Sequence, residues 1–193
     1  MAAVSSTRSF STAPAVDSER ELILRCQRYE AEALGEFFDR FHDGVYHFLA
    51  ARTGDPGLAQ ELTTETFARA LALLPRHRNR GAGLAPWLLR VANGRLAERR
   101  RPHAAVAAGS SPPELPEGTE PDVAAARLRA ALDRLPPEQQ EVLSLRFLAP
   151  LPLNVVARAM HRGPGAVQTL QARGLKNLAR ILDPAPGPGM MGS

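Results

Sequence analysis

The sequence predicts an all-α protein: two small helical domains joined by a flexible linker, the second containing a helix-turn-helix. Three observations predict it. Apolar residues recur at three- and four-residue steps in eight segments between Ser18 and Leu182, and no stretch alternates apolar with polar as a half-buried strand does. A proline-rich interval, 102–122, interrupts that pattern once. The charges are also segregated into blocks of opposite sign rather than mixed.

The 193 residues suit one domain or two small ones. No apolar run approaches the roughly 20 residues needed to span a bilayer, and the amino terminus lacks the apolar core of a secretion signal, so a cytoplasmic protein is expected. Cys26 is the only cysteine, which rules out an internal disulfide and a multi-cysteine zinc site; a small apolar side chain inside a helix is the expected role.

Taken in order, residues 1–16 are small and polar and form an expected disordered tail. The first domain is assigned to 17–101. Its first helix is expected over Ser18–Phe41, with Leu22, Cys26, Tyr29, Ala33, Phe37 and Phe41 on one stripe. A second helix runs through VYHFLAARTG to Gly54. Asp55 and Pro56 look like a cap and first turn of the third, which carries Leu58, Leu62, Phe67, Ala70, Leu71 and Leu74 and is closed by Pro75. After the loop RHRNRGAGLA, Pro86 opens a fourth helix, PWLLRVANGRLAERRR. Its Trp87, Leu88, Val91 and Leu96 face inward, and arginines crowd its end.

The interval 102–122 holds five prolines counted from Pro102's neighbourhood to Pro121 and no helical stripe after Val106, so it is a flexible linker. The second domain, 123–183, has a helix over Val123–Leu135, then PPEQQEVLSLRF, PLNVVARAM and PGAVQTLQARGLKNLARIL. The order PLNVVARAM, HRG, PGAVQTLQARG is helix, short glycine-containing turn, helix. Residues 184–193 are rich in proline and glycine and form a second expected disordered tail.

Residues 17–69 carry eleven acids against six arginines, whereas 70–101 carry eight arginines against Glu98 alone. The linker holds four acids and no base, and 158–180 hold Arg158, Arg162, Arg173, Lys176 and Arg180 with no acid. Two basic blocks far apart in sequence are either two footprints on one polyanion or two solvated faces.

LPPEQQEVLSLRF followed by the helix-turn-helix resembles the promoter-binding carboxy-terminal domain of bacterial RNA polymerase sigma factors of the extracytoplasmic-function group. GDPGLAQELTTETFARAL, Gly54–Leu71, with PWLLRVANGRLAERRR, resembles the amino-terminal domain of the same group. The resemblance covers about residues 18–182 in the family's order. It implies an alternative sigma factor with core RNA polymerase and promoter DNA as partners, an anti-sigma factor as a further possible partner, no cofactor and no membrane contact.

In that family the third helix docks on a coiled coil of the polymerase's largest subunit. The resemblance thereby puts Glu61, Leu62, Glu65 and Phe67 at the interface; from the residues alone, Glu61 and Glu65 are equally solvated charges four apart on a helix. The loop before the fourth helix is similar to the element that captures a flipped promoter base. That places Arg76, Arg78, Asn79 and Arg80 there and Arg90, Arg95, Arg99, Arg100 and Arg101 on phosphates. Asn79 is otherwise an ordinary loop residue, and Trp87 is either core or a stacking platform.

The second helix of a helix-turn-helix sets its leading residues over base edges, so Gln168, Thr169 and Gln171 are candidate readers, with Arg162, Arg173 and Lys176 on phosphates. The chain departs from the family's usual residues at Val155, where an acid is usual, at Ala166 (threonine), at Gly94 (asparagine) and at Thr64 (glutamine).

Two other function classes are compatible with these features: a sigma-like interaction protein that docks on polymerase or an anti-sigma partner without melting DNA, and a stand-alone helix-turn-helix regulator. An enzyme is not expected and no catalytic or metal-binding residue is assigned. The five histidines lack metal-ligand spacing, no glycine-rich phosphate loop follows a strand, and His42 and His47 are expected in solvent. Glu138 and Glu141 are expected as solvated acids near a helix start.

Overall fold

The computed structural model describes residues 16–77, 83–107, 115 and 120–183. Among them every regular element is helical: α1 Val16–Gln27, α2 Ala31–Thr53, α3 Pro56–Leu73, α4 Leu84–Ala107, α5 Pro121–Asp133, α6 Pro137–Leu143, α7 Leu153–Ala159 and α8 Pro164–Leu182. A short 3-10 turn, Leu74–Arg76, follows α3, and α6 runs on into one π-helical turn, Ser144–Leu148. Residues 1–15 and 184–193 of the expected tails fall outside the described residues, as do 108–114 and 116–119 of the expected linker, and α4 runs on to Ala107, into the interval expected as linker.

The first unit, α1 to α4, is a bundle in which α2 packs on α3 and α4, and α1 folds back on α2. The expected single helix Ser18–Phe41 is broken: α1 ends at Gln27, and Tyr29 takes a left-handed φ of 58°. The reversal lets the two halves of one apolar stripe face each other. Leu22 and Cys26 on α1 and Ala33 and Phe37 on α2 are all buried, and the Cys26 thiol donates to the Ala33 carbonyl at 3.2 Å. Burial pushes that thiol up, so it is a packed group rather than a nucleophile. From Ala31 the second helix then continues without interruption through the segment expected as a separate helix.

Local chemistry sets the α2–α3 corner. Gly54 ends α2 with φ 70°, and the Asp55 carboxylate accepts from Gly57 N at 2.8 Å and Leu58 N at 3.1 Å, with Pro56 in the first turn. The core behind this corner is aromatic. The Phe37 ring lies 5.5 Å from Phe41 and 5.7 Å from Phe67, and each such ring contributes about 1.5–3 kcal/mol by burial. His42 is not out in solvent as expected. It is half-buried in an outer aromatic row, 4.8 Å from Phe38 and parallel to Tyr46, while His47 is exposed.

In the second unit α8 packs on α5, α6 and α7. Its inner face carries Val167 and Gly174, both buried, with Leu170, Leu178 and Ile181 partly buried around them. Gly174 faces α6 closely: a Cβ there would lie 3.2 Å from Leu143 Cδ1.

The two units do not stand apart. α4 packs on α7, and ion pairs join the two bundles. Among the described residues no helix is long and apolar enough to cross a membrane.

Candidate nucleic-acid interface

On the outer face of α3 and α4 the structure brings two sets of candidate residues into contact with each other. Arg95 Nη2 lies 2.7 Å from Glu65 Oε2, and Arg99 reaches Glu61 at 2.8 Å and Glu65 at 3.5 Å. Arg95 also pairs with Glu98. The guanidinium of Arg95 is held above its ordinary pKa, chiefly by its hydrogen bond to Glu65. Two arginines of the first basic block, Arg95 and Arg99, are therefore paired with acids of their own bundle rather than bare.

Burial divides the four residues expected at the polymerase interface. Glu61 is exposed and Glu65 half-buried, so both present carboxylate edges on the surface. Leu62 has no exposed surface and Phe67 has 5%, which removes both from any docking surface and assigns them to the core. Their helical spacing from the acids fixes this outcome, because residues at one- and two-residue offsets lie on different faces of α3.

From the same stretch of α4, Arg90 and Arg100 turn toward the second unit instead. Arg90 Nε donates to Glu141 at 2.7 Å and Arg100 donates to Asp133. Glu141 is therefore no solvated acid, in contrast to the expectation for it. Arg78, Asn79, Arg80 and the side chain of Arg101 lie outside the described residues. Arg76 is exposed at the end of the 3-10 turn.

The flank of the loop after α3 is well built. Gln27 Nε2 donates to the carbonyls of Leu74 and His77 at 3.0 and 3.2 Å, and the His77 ring lies 4.3 Å from Trp87. Trp87 is half-buried against the core, and His77 covers part of it, so the indole belongs to packing. Burial lowers the His77 pKa, and among the described residues its Nε2 has no hydrogen-bond partner.

The expected helix-turn-helix is present. α7 ends at Ala159, the turn passes through Met160–Gly163, and Pro164 opens α8. His161 has φ 54°, the left-handed position a glycine would take in such a turn; Arg162 N donates to Ala157 O at 2.9 Å and closes it.

Along α8, Gln168, Thr169, Ala172, Arg173, Lys176 and Arg180 form an exposed stripe, and among the described residues Arg173, Lys176 and Arg180 engage no acid. The Thr169 hydroxyl donates to Gly165 O at 3.0 Å. Two candidates depart from this stripe. Gln171 is half-buried on its flank with Oε1 accepting from Arg146 Nε at 3.1 Å, which takes it out of the base-reading set. Arg162 pairs with Glu138. Arg158 on α7 is exposed. The departing positions also fall into place: Val155 is half-buried against the core, while Ala166, Gly94 and Thr64 are exposed.

Four residues that matter here were not singled out from sequence. Arg52 is 1% exposed at the end of α2 and bonds to Asp133 at 3.1 Å. Arg146 orients Gln171, and Gly174 admits Leu143. Only Gly174 left a legible signal, a glycine in phase with Val167, Leu170 and Leu178 on an apolar stripe. The others depend on partners far away in the chain.

Among the described residues no group of three or more histidines, cysteines or acids is placed to hold a metal.

Two family models match the chain: Sigma-70 region 2 over residues 37–105 and Sigma-70 region 4 over residues 131–180. The ECF RNA polymerase sigma factor BldN of Streptomyces coelicolor is 35% identical over 182 residues, which is 88% of this chain and 69% of that protein. The ECF RNA polymerase sigma factor SigD of Mycobacterium tuberculosis is 29% identical over 164 residues, 77% of this chain and 76% of its own. The solved structure of CnrH in complex with the cytosolic domain of CnrY shares the fold, with a TM-score of 0.61 at 17% identity over 88% of this chain and all of that one.

Proposed function

The chain belongs to the extracytoplasmic-function group of RNA polymerase sigma factors, and we propose that its two units divide the family's work between the face of α3 and α4 and the stripe of α8. It is an alternative sigma factor that binds core polymerase and directs initiation at promoters. In the proposed division, Glu61 and Glu65 on α3 meet core polymerase. The arginines of α4 and the loop before it meet the downstream promoter element. α8 enters the major groove of the upstream element, with Gln168 and Thr169 over base edges and Arg173 and Lys176 on phosphates.

The observation that carries this reading is the α8 stripe: three cations that engage no acid among the described residues, behind two exposed polar residues, on the second helix of a helix-turn-helix. Such a surface suits a polyanion that also offers base edges. Because polymerase holds both units, the second promoter contact is intramolecular and gains the effective concentration of a tether. With these partners the protein acts in the cytoplasm and performs no chemistry of its own. An anti-sigma partner belongs to the same proposal.

The test is copurification after mild lysis. Tagged full-length chain is expected to bring down core polymerase, and Glu61→Lys/Glu65→Lys to bring down much less. Full recovery with the double variant would remove α3 from the docking surface.

A further inference from the structure

Three contacts, spaced three residues apart on α8, seat that helix on α6 and the turn that follows it. Gln171 Oε1 accepts from Arg146 Nε at 3.1 Å, Gly174 faces Leu143, and Asn177 Nδ2 donates to Gln139 Oε1 at 2.8 Å. Only the first of these touches the reading end of the helix. Gln171 stands three residues after the exposed Gln168, so the two amides are neighbours on one side of α8. Arg146 is itself fixed from a second direction, because its Nη1 donates to the Leu151 carbonyl just before α7 begins. Its guanidinium is half-buried and ties together the π-helical turn, the entry to α7 and the flank of α8.

A guanidinium has donors and no acceptor, so the atom that Gln171 turns to it is the amide oxygen. That oxygen is half of what a glutamine uses on adenine, where the amide accepts from N6 and donates to N7. An amide held by its oxygen on the flank cannot present both groups to one base edge. We infer that Arg146 sets the specificity of α8 by holding the Gln171 amide away from the major groove: it withholds a third reader, and its loss delivers Gln171 to the base pair beside those that Gln168 and Thr169 read. Arg146 acts through Gln171 and is a positioning residue. The inference rests on the reading that α8 enters the groove with Gln168 and Thr169 over base edges. The contacts at Gly174 and Asn177 stay in place when Arg146 is changed, so α8 keeps its seat.

The test selects binding sites from random-sequence duplex DNA with holoenzyme assembled from core polymerase and the full-length chain. The natural chain and Gln171→Ala are expected to select the same sequence. Arg146→Met, which keeps a long stem but no donor, is expected to select that sequence with one further base pair preferred roughly tenfold. Arg146→Met/Gln171→Ala is expected to lose the added preference. An Arg146→Met variant that binds every sequence more weakly but adds no preference overturns the inference and leaves Arg146 a purely structural part. An added preference that persists in the double variant also overturns it, because a shift of the whole helix then supplies it. Gln171→Glu is an independent check if Arg146→Met does not fold. Its carboxylate stays paired with Arg146 on the flank, so affinity for the selected duplex is expected to fall by less than about fivefold; a larger loss places the side chain against DNA phosphates already and overturns the inference. A natural chain that selects no sequence overturns the reading of α8 and this inference with it, whereas a sequence selected identically by the natural chain and Arg146→Met overturns the inference alone.

Discussion

Glu65 accepts from both Arg95 and Arg99, at 2.7 and 3.5 Å, so a carboxylate proposed to meet polymerase also holds two arginines proposed to meet DNA. The two functions of the first unit share one charge network. All three side chains are partly exposed, which keeps the network's effect on stability small.

Glu65→Gln is therefore expected to cost under about 1 kcal/mol in urea unfolding. Its affinity for core polymerase, from titration in a pull-down, is expected to fall about tenfold, in line with loss of a charged interface contact. Unchanged polymerase affinity would limit Glu65 to holding Arg95 and Arg99.

Two glycines on helices respond in opposite directions. Nothing lies within 4 Å of a Cβ at Gly94, so Gly94→Ala stabilises by about 0.5–1 kcal/mol through helix propensity. At Gly174 the added atoms meet Leu143, at 3.2 Å already for the first carbon, and Gly174→Val costs about 1–3 kcal/mol by overpacking. Urea midpoints of the full-length chain check both signs.

His77 makes stability depend on pH. Burial lowers its pKa in the folded chain, so the unfolded chain binds the proton more readily. The contribution is fully present above the unfolded value of about 6.5 and declines as pH falls through that value toward the depressed folded one. His77→Phe keeps a ring against Trp87 and is expected to flatten the stability profile between about pH 7 and 5, measured as thermal midpoint against pH.

The α8 stripe separates positioning from reading. Arg173→Ala or Lys176→Ala is expected to weaken duplex binding alike on all sequences and to reduce the log-log salt slope by about 1. Gln168→Ala is expected to relax preference at one base pair. Gln171→Ala is expected to change neither, because its amide oxygen is held by Arg146. A relaxed base preference in that variant would restore Gln171 to the reading set.

How much of this was legible in the sequence depends on how local the cause is. The start of α3 was legible because Asp55 and Pro56 act on the next turn, and the helix-turn-helix was legible because its two helices carry their own apolar phase. The break at Tyr29 was not: the stripe stays in phase through it, and no glycine or proline marks it. Exposed Glu61 and buried Leu62 look alike in a motif, and only the faces of a folded helix separate them. The pairing of Arg95 with Glu65 and of Arg90 with Glu141 spans two helices or two units, so these arginines look bare in sequence and are paired in the fold.

The most direct measurement of the central claim is run-off transcription from fragmented DNA of the source genome, with purified core polymerase and the full-length chain as the only added factor. Discrete transcripts are expected that require the chain and vanish with Arg173→Ala/Lys176→Ala. Core polymerase that starts at no specific site with the chain present would contradict it.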